Sequence, residues 1–297
     1  MTRGFVTIAT GKEQYYRIAR NLLWSYRYFS KDPVPFALIC DRENEYTKEF
    51  DRIILMEHPT KSYLDKLELP RLIPYDETIF VDADTLAYRD LNDFWAAFED
   101  ATDFSVFGFD YPADYDGPVD PWFRKQDVAE YGERISSIPE FIGGVYYLRR
   151  TLPDTFYETS QRILKNYYRY KFRQFEDPCD EAVYALTMAV QGCRTAGEKS
   201  PACCFYPHAV RFRADIRKGS TWYDNRYYPD RKPESSAYSV HWGTGNTWAP
   251  VYRIEEYKIR RMRKGHIPSD TEIFFVSLYY RLRKKAGGIL RRAGLRK

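Results

Sequence analysis

Two carboxylates one residue apart, Asp82 and Asp84, close the apolar run Thr78-Ile79-Phe80-Val81. Such a run reads as a buried strand, and where it gives way to a loop the alternation of side chains ends, so both acids can turn toward one ion. Hard divalent cations prefer carboxylate and phosphate oxygens and take few protein ligands when substrate phosphates complete the shell. A nucleotide diphosphate would complete it. Acids at strand ends also act as turn and cap residues, and the pair alone does not choose between these roles. His241, one of four histidines, follows the strand-like Tyr238 to Val240 and precedes Gly243-Thr244-Gly245. That setting lets its imidazole enter a cleft, although a lone histidine is usually structural. As a third ligand it favours Mn²⁺ over Mg²⁺, because imidazole suits softer ions. A second acidic pair, Asp180-Glu181, opens a helical pattern, where the helix dipole favours acids in any case. Lys66 and Arg71 stand at helical spacing ahead of the acidic strand, either as a solvated face or as contacts to phosphate and sugar.

The elements that must position these residues follow from periodicity. Short apolar runs at Gly4 to Thr10, Pro35 to Cys40, Arg52 to Met56 and Thr78 to Val81 alternate with helical patterns, the signature of βαβ units and a mostly parallel sheet. Glu13 to Tyr28 puts Tyr16, Ala19, Leu23 and Tyr26 on one helical stripe, which the right-handed crossover lays on one sheet face. Phe104 to Phe109 is a further strand, and Asp110 to Asp120, rich in Asp, Tyr, Pro and Gly, is a loop of the kind that binds ligands beyond strand ends. Phe141 to Leu148 resumes strand character, and Phe156 to Tyr170 and Cys179 to Val190 read as helices. Ser200 to Pro250 is irregular and aromatic and yields no element assignment.

A chain of 297 residues is long enough to bury a full core. Its 18% aromatic content serves that core or lines sites for flat or sugar-like ligands. The net charge of +4 is unevenly spread: residues 251–297 carry 14 Lys/Arg and 4 acids, against 32 and 38 before them. An acidic body with a basic tail suggests an anionic surface as the tail's partner. The economical division is a catalytic domain over residues 1–250 and a tail over 251–297.

In that tail Phe275, Leu278 and Leu282 share a helical face, and from Phe274 onward there are 8 Lys/Arg and no acid, through Ile289-Leu290-Arg291-Arg292 to Lys297. The pattern is that of an interfacial helix on anionic lipid. Basic clusters alone do not separate lipid from RNA phosphates; the apolar residues favour the membrane. The opening residues contain too short an apolar run for a signal peptide, and no stretch reaches the ~18 apolar residues of a membrane span. The expected location is cytoplasmic, peripheral on the cytosolic membrane face. Five cysteines without a CxxC pair are expected to be reduced thiols.

The stretch from Lys66 to Thr85, with Pro70, Asp82-Ala83-Asp84-Thr85 and the following Leu86 and Leu91, resembles the core of family 8 glycosyltransferases, the glycogenin and bacterial lipopolysaccharide galactosyltransferase group. Further landmarks follow in family order over roughly residues 4–250. Phe5 to Thr10 resembles the strand that cradles the nucleotide at Ala9 and Thr10, and Tyr15 stands where a base-stacking aromatic is often found. Ile142-Gly143-Gly144-Val145 resembles the strand beside the sugar, Asp180-Glu181 the catalytic acid pair, and His241-Trp242-Gly243-Thr244-Gly245-Asn246-Thr247-Trp248 the metal and phosphate motif. The chain departs from the pattern at Ile142, where Asn is usual, at Glu181, where Gln is common, and at Asn246-Thr247, where a phosphate-binding Lys is expected.

The resemblance implies a GT-A fold: a Rossmann-like, mostly parallel α/β sheet flanked by helices. It implies transfer of a hexose from a nucleotide-sugar, UDP-linked by expectation, to a glycan or lipid-linked acceptor with retention of configuration. Asp82, Asp84 and His241 would hold Mn²⁺ or Mg²⁺, and Ala9, Thr10, Tyr15, Lys66, Asp82, Ala83, Gly143, Gly144 and Gly245 would contact the donor. A cation stabilises charge on the departing diphosphate, and Asp180 or Glu181 would stabilise the oxocarbenium-like carbon. A haloacid dehalogenase-like phosphatase also starts from a strand and DxD, but needs Thr or Val where Leu86 stands. A basic nucleic-acid- or membrane-binding protein without catalysis explains the tail and leaves the acidic pair idle.

Overall fold

The computed structural model describes residues 1–173, 176–225 and 234–292, with side chains to residue 286. In chain order the elements are β1 (Arg3–Ala9), α1 (Glu13–Phe29), β2 (Phe36–Cys40), β3 (Arg52–Leu55), α2 (Leu69–Leu72), β4 (Glu77–Val81), β5 (Thr85–Ala87) and α3 (Phe94–Ala97). They continue with β6 (Phe104–Pro112), β7 (Ser137–Arg149), α4 (Asp154–Lys165), α5 (Asp180–Gln191), β8 (Cys203–Phe205) and β9 (Ala209–Asp215). The last are β10 (Ser220–Asn225), β11 (Glu234–Ser235), β12 (Ser239–His241), α6 (Pro250–Met262) and α7 (Asp270–Arg292).

The chain divides into two units, one of residues 1–20, 32–83 and 92–201, the other of 21–31, 84–91 and 202–297. Tyr252, Glu255, Glu256, Lys258, Ile259 and Met262 of α6 are all covered.

The first unit holds a six-stranded sheet of order β3-β2-β1-β4-β7-β6. β1 pairs in parallel with β2 and β4, and β2 with β3, while β7 runs antiparallel to both β4 and β6. The fully buried strands β2 and β4 are the near-continuous apolar runs that parallel sheets require. Tyr16, Ala19, Leu23 and Tyr26, the expected stripe of α1, are all buried. Aromatic rings fill the core under α4 and α5, with Phe104 4.5 Å from Phe156 and 4.9 Å from Tyr184 between centroids. β6 continues to Pro112, three residues into the segment expected to be loop. α4 ends at Lys165, where Asn166 caps it before a single 3₁₀ turn at Tyr167–Arg169.

The second unit has two three-stranded sheets, β5-β12-β8 and β11-β10-β9. Trp242 is wholly buried among Tyr206, Phe212 and Tyr252, at centroid distances of 4.9, 5.3 and 5.4 Å. The five cysteines are thiols, none joined in a disulfide. Burial pushes the Cys40 thiol up to about 11 and the Cys179 thiol up to about 12, which leaves them as apolar filling at neutral pH. Among the described residues no helix is long and apolar enough to cross a membrane. The side chains of Ile289, Leu290, Arg291 and Arg292, and Lys297, lie outside the described residues.

Candidate active site

In the first unit the carboxyl end of β4 delivers Asp82, whose backbone N–H donates to the Gly144 carbonyl at 3.0 Å and so continues the β4–β7 ladder by one residue. A 3₁₀ segment over Tyr63–Glu68 supplies Lys66, pinned by the Tyr184 hydroxyl donating to its carbonyl at 2.7 Å. The Lys66 ammonium donates to Asp82 Oδ2 at 2.9 Å and to the Gly143 carbonyl at 3.0 Å, and lies 3.2 Å from Asp180 Oδ2. Burial alone would lower its pKa; Asp180, Asp82 and Glu181 more than offset that and raise it above the ordinary lysine value. Lys66 is thus a fixed cation, not a solvated surface residue.

Asp180 and Glu181 occupy the first turn of α5, where the dipole favours them. Asp180 accepts from the Tyr146 hydroxyl at 2.6 Å, and Glu181 Oε1 accepts from the Gly143 N–H at 2.5 Å. Burial, reinforced by Asp180 and Glu181, holds the Tyr146 hydroxyl well above its ordinary pKa, so it stays a donor. Gly143 is required sterically: a Cβ there would meet the Tyr146 hydroxyl at 2.4 Å and Glu181 Cγ at 2.6 Å. A cation, the Asp180–Glu181 pair and the buried Gly143 peptide therefore converge where β4 and β7 meet α5.

In the second unit β5 pairs antiparallel with β12, with Thr85 opposite His241. This register sets His241 beside Asp84, with Nε2 3.0 Å from Asp84 Oδ1, while the Thr244 hydroxyl donates to Asp84 Oδ2 at 2.9 Å. The Trp242 N–H donates to the Asp84 carbonyl at 2.9 Å, so backbone and side chain of Asp84 are both fixed by the segment that carries His241. Gly243, at φ 67°, makes the left-handed turn that returns Thr244 to the acid. Asn246 and Thr247, which stand in place of the expected lysine, donate to the Trp242 and Thr244 carbonyls and build this turn.

The structure thus joins Lys66, Asp82, Gly143, Gly144, Asp180 and Glu181 in one network, and Asp84 with His241 in another; Ala83, nearly buried, is the single residue of chain between Asp82 and Asp84. Ala9 and Thr10 end β1, where the Thr10 hydroxyl donates to the buried Asp65 at 2.6 Å. Tyr15 is half-buried near the start of α1, and it is its neighbour Tyr16 that bonds Asp41. Gly245 is exposed, with nothing within 4 Å of the position a Cβ would take. Tyr146, Asp65 and Thr244 were not among the sequence candidates. Tyr146 could have been found by alternation from Gly144 along β7, and Thr244 from its place two residues after Trp242 in a Gly-rich turn. Asp65 carries no sequence signal beyond being an acid.

No protein-family model and no curated protein matches the sequence. Solved structures do match in fold. The galactosyltransferase LgtC in complex with donor and acceptor sugar analogues superposes with a TM-score of 0.52 at 13% identity, covering 92% of this chain and 99% of LgtC. An active-site glutamine-to-glutamate mutant of LgtC gives a TM-score of 0.54 at 12% identity, over 91% and 99% of the two chains. The bifunctional glycosyltransferase WbbM gives 0.50 at 12% identity over 93% of this chain, which spans 51% of WbbM. The mostly parallel sheet, with its helices and antiparallel β7, is the GT-A fold of these glycosyltransferases.

Proposed function

We propose that this protein is a glycosyltransferase that moves a hexose from a UDP-linked sugar nucleotide to a cell-surface glycan or glycolipid, in a metal-dependent reaction that retains configuration. The observation that carries the reading is the Asp84–His241 pair at 3.0 Å, held by the β5–β12 register and by Thr244. Asp82, two residues earlier in the chain, would add a second carboxylate, and two carboxylates with an imidazole are a donor set for a divalent cation, Mn²⁺ in preference to Mg²⁺. Such an ion supplies Lewis-acid stabilisation of the charge on the leaving diphosphate. The chain's own residues supply the rest. Lys66 bridges Asp82 and Asp180 as a fixed cation, and Glu181, anchored on the Gly143 N–H, presents a carboxylate to a carbon that develops positive charge.

The acceptor side of the reading rests on α7. Phe274, Phe275, Leu278, Tyr279 and Leu282 are exposed there, between 43% and 64%, alongside the exposed Arg281, Arg283, Lys284 and Lys285. Aromatic and aliphatic residues beside bases suit the interface of an anionic membrane on the cytosolic face, where a lipid-linked acceptor would be met.

Hydrolysis of a panel of UDP- and GDP-sugars, with and without Mn²⁺, tests the function. Mn²⁺-dependent release of UDP is expected; metal-independent phosphatase activity, or no binding of any sugar nucleotide, contradicts it.

A further inference from the structure

In the order β3-β2-β1-β4 the strand sequence reverses at β1, and open α/β sheets bind ligands outside the carboxyl ends of their strands at such a point. In dinucleotide-binding sheets of this order, an acid some way beyond the first turn reads the ribose 2′-hydroxyl. Here the residue that follows β2 is Asp41, whose side chain is only 9% exposed. Its Oδ1 is fixed by two donors, the Gly11 N–H at 3.2 Å and the Tyr16 hydroxyl. Its Oδ2 is met by Arg42 at 3.2 Å and Lys61 at 3.9 Å. Both of these cations are about half-exposed, and such solvated pairs exchange partners at little cost. Burial opposes ionisation of Asp41, but the Tyr16 hydroxyl and the Gly11 N–H hold its pKa below the ordinary value.

The backbone around this carboxylate is shaped at some cost. Gly11 has φ 77° and the facing Lys61, not a glycine, has φ 60°. A Cβ on Gly11 would lie 3.2 Å from Lys61 Cβ. Left-handed backbone at a non-glycine residue persists where the surroundings over-determine it, and it concentrates at ligand clamps. What determines it here is Asp65, which is 1% exposed. It accepts from the Thr10 hydroxyl, the Thr60 N–H and hydroxyl, and the Lys61 N–H at 2.6, 2.6, 2.7 and 3.2 Å. One buried acid thus ties the loop of Thr60 and Lys61 to the end of β1, beside the carboxylate at the end of β2.

We propose that Asp41 is the specificity residue for the donor's nucleoside: its Oδ2 accepts a hydrogen bond from the ribose 2′-hydroxyl, with Arg42 and Lys61 flanking it. The inference rests on the sugar-nucleotide reading and adds a residue and a contact to it. Calorimetric titration with UDP and with 2′-deoxy-UDP, both with Mn²⁺, tests it on wild type and Asp41→Ala. The wild type is expected to bind UDP about ten-fold more tightly than the deoxy form, the scale of one hydrogen bond to a charged group. Asp41→Ala should lose about that factor for UDP and bind both nucleotides alike. Equal binding of the two by the wild type overturns the proposal whether or not the variant folds, as does a preference that survives in Asp41→Ala. In those cases UDP still binds and the transferase reading stands; a wild type that binds neither nucleotide removes both.

Discussion

Two buried charge networks, one in each unit, differ in how their charges are matched. In the second unit Lys258 lies 2.6 Å from Glu255 and 3.0 Å from Asp215, and Arg217 bonds Asp215 at 2.6 Å and Asp270 at 2.7 Å. Glu255 also accepts from the Ile216 N–H at 2.7 Å and the Tyr88 hydroxyl at 3.1 Å. Acids and bases alternate, and the contacts of Lys258, Arg217 and Glu255 tie α6 and α7 to β9 and its following turn. The network around Lys66 is matched differently: one cation faces Asp82, Asp180 and Glu181. A charge-balanced network holds helices in place, whereas an acid-rich one attracts a cationic or electron-poor partner.

Mutations should separate the two. Lys258→Met leaves the buried Glu255 without its cation, while Asp215 keeps Arg217, so a loss of about 3 kcal/mol in urea unfolding is expected, with turnover per folded molecule unchanged. Glu181→Gln should do the reverse: the amide oxygen still accepts from Gly143, so melting is little altered, while turnover of a UDP-sugar falls about 10²-fold, the scale of one lost electrostatic contact in a transition state. If Glu181→Gln unfolds the protein and Lys258→Met abolishes turnover, the assignment of roles is reversed. The smallest effect is in pH. Arg217 and Lys258 outweigh the burial of Asp215 and hold its carboxyl at about 2. A carboxylate with a depressed folded pKa contributes stability that is complete above its unfolded value near 4 and is lost as pH falls toward 2. Wild type should therefore be more stable than Asp215→Asn at pH 7, and the gap should close between about pH 4 and 2 in parallel unfolding titrations.

The two units were also unequally legible. β1 to β4, β7 and α5 could be placed from sequence because parallel strands covered on both faces and a helix with a buried stripe leave long apolar signals. Of β8 to β12 only β12 left a signal, in the strand-like Tyr238 to Val240; the others are two to seven residues long, in small sheets with a bulge between Tyr223 and Asn225, so neither run length nor alternation marks them. The acids Asp82, Asp84, Asp180 and Glu181 were visible as pairs at element ends. The β5–β12 register that seats His241 beside Asp84, and the hydrogen bonds of Asp41 and Asp65, are tertiary facts that isolated polar residues do not announce.

The central claim is that Asp84 and His241 belong to a metal-dependent transferase site. Its most direct test is UDP release from UDP-sugars across an Mn²⁺ titration, for wild type and Asp84→Ala. The account predicts turnover that appears only with the metal and is lost in the variant while the fold, followed by circular dichroism, is kept. Turnover that is unaffected by Mn²⁺, or that survives in Asp84→Ala, would contradict it.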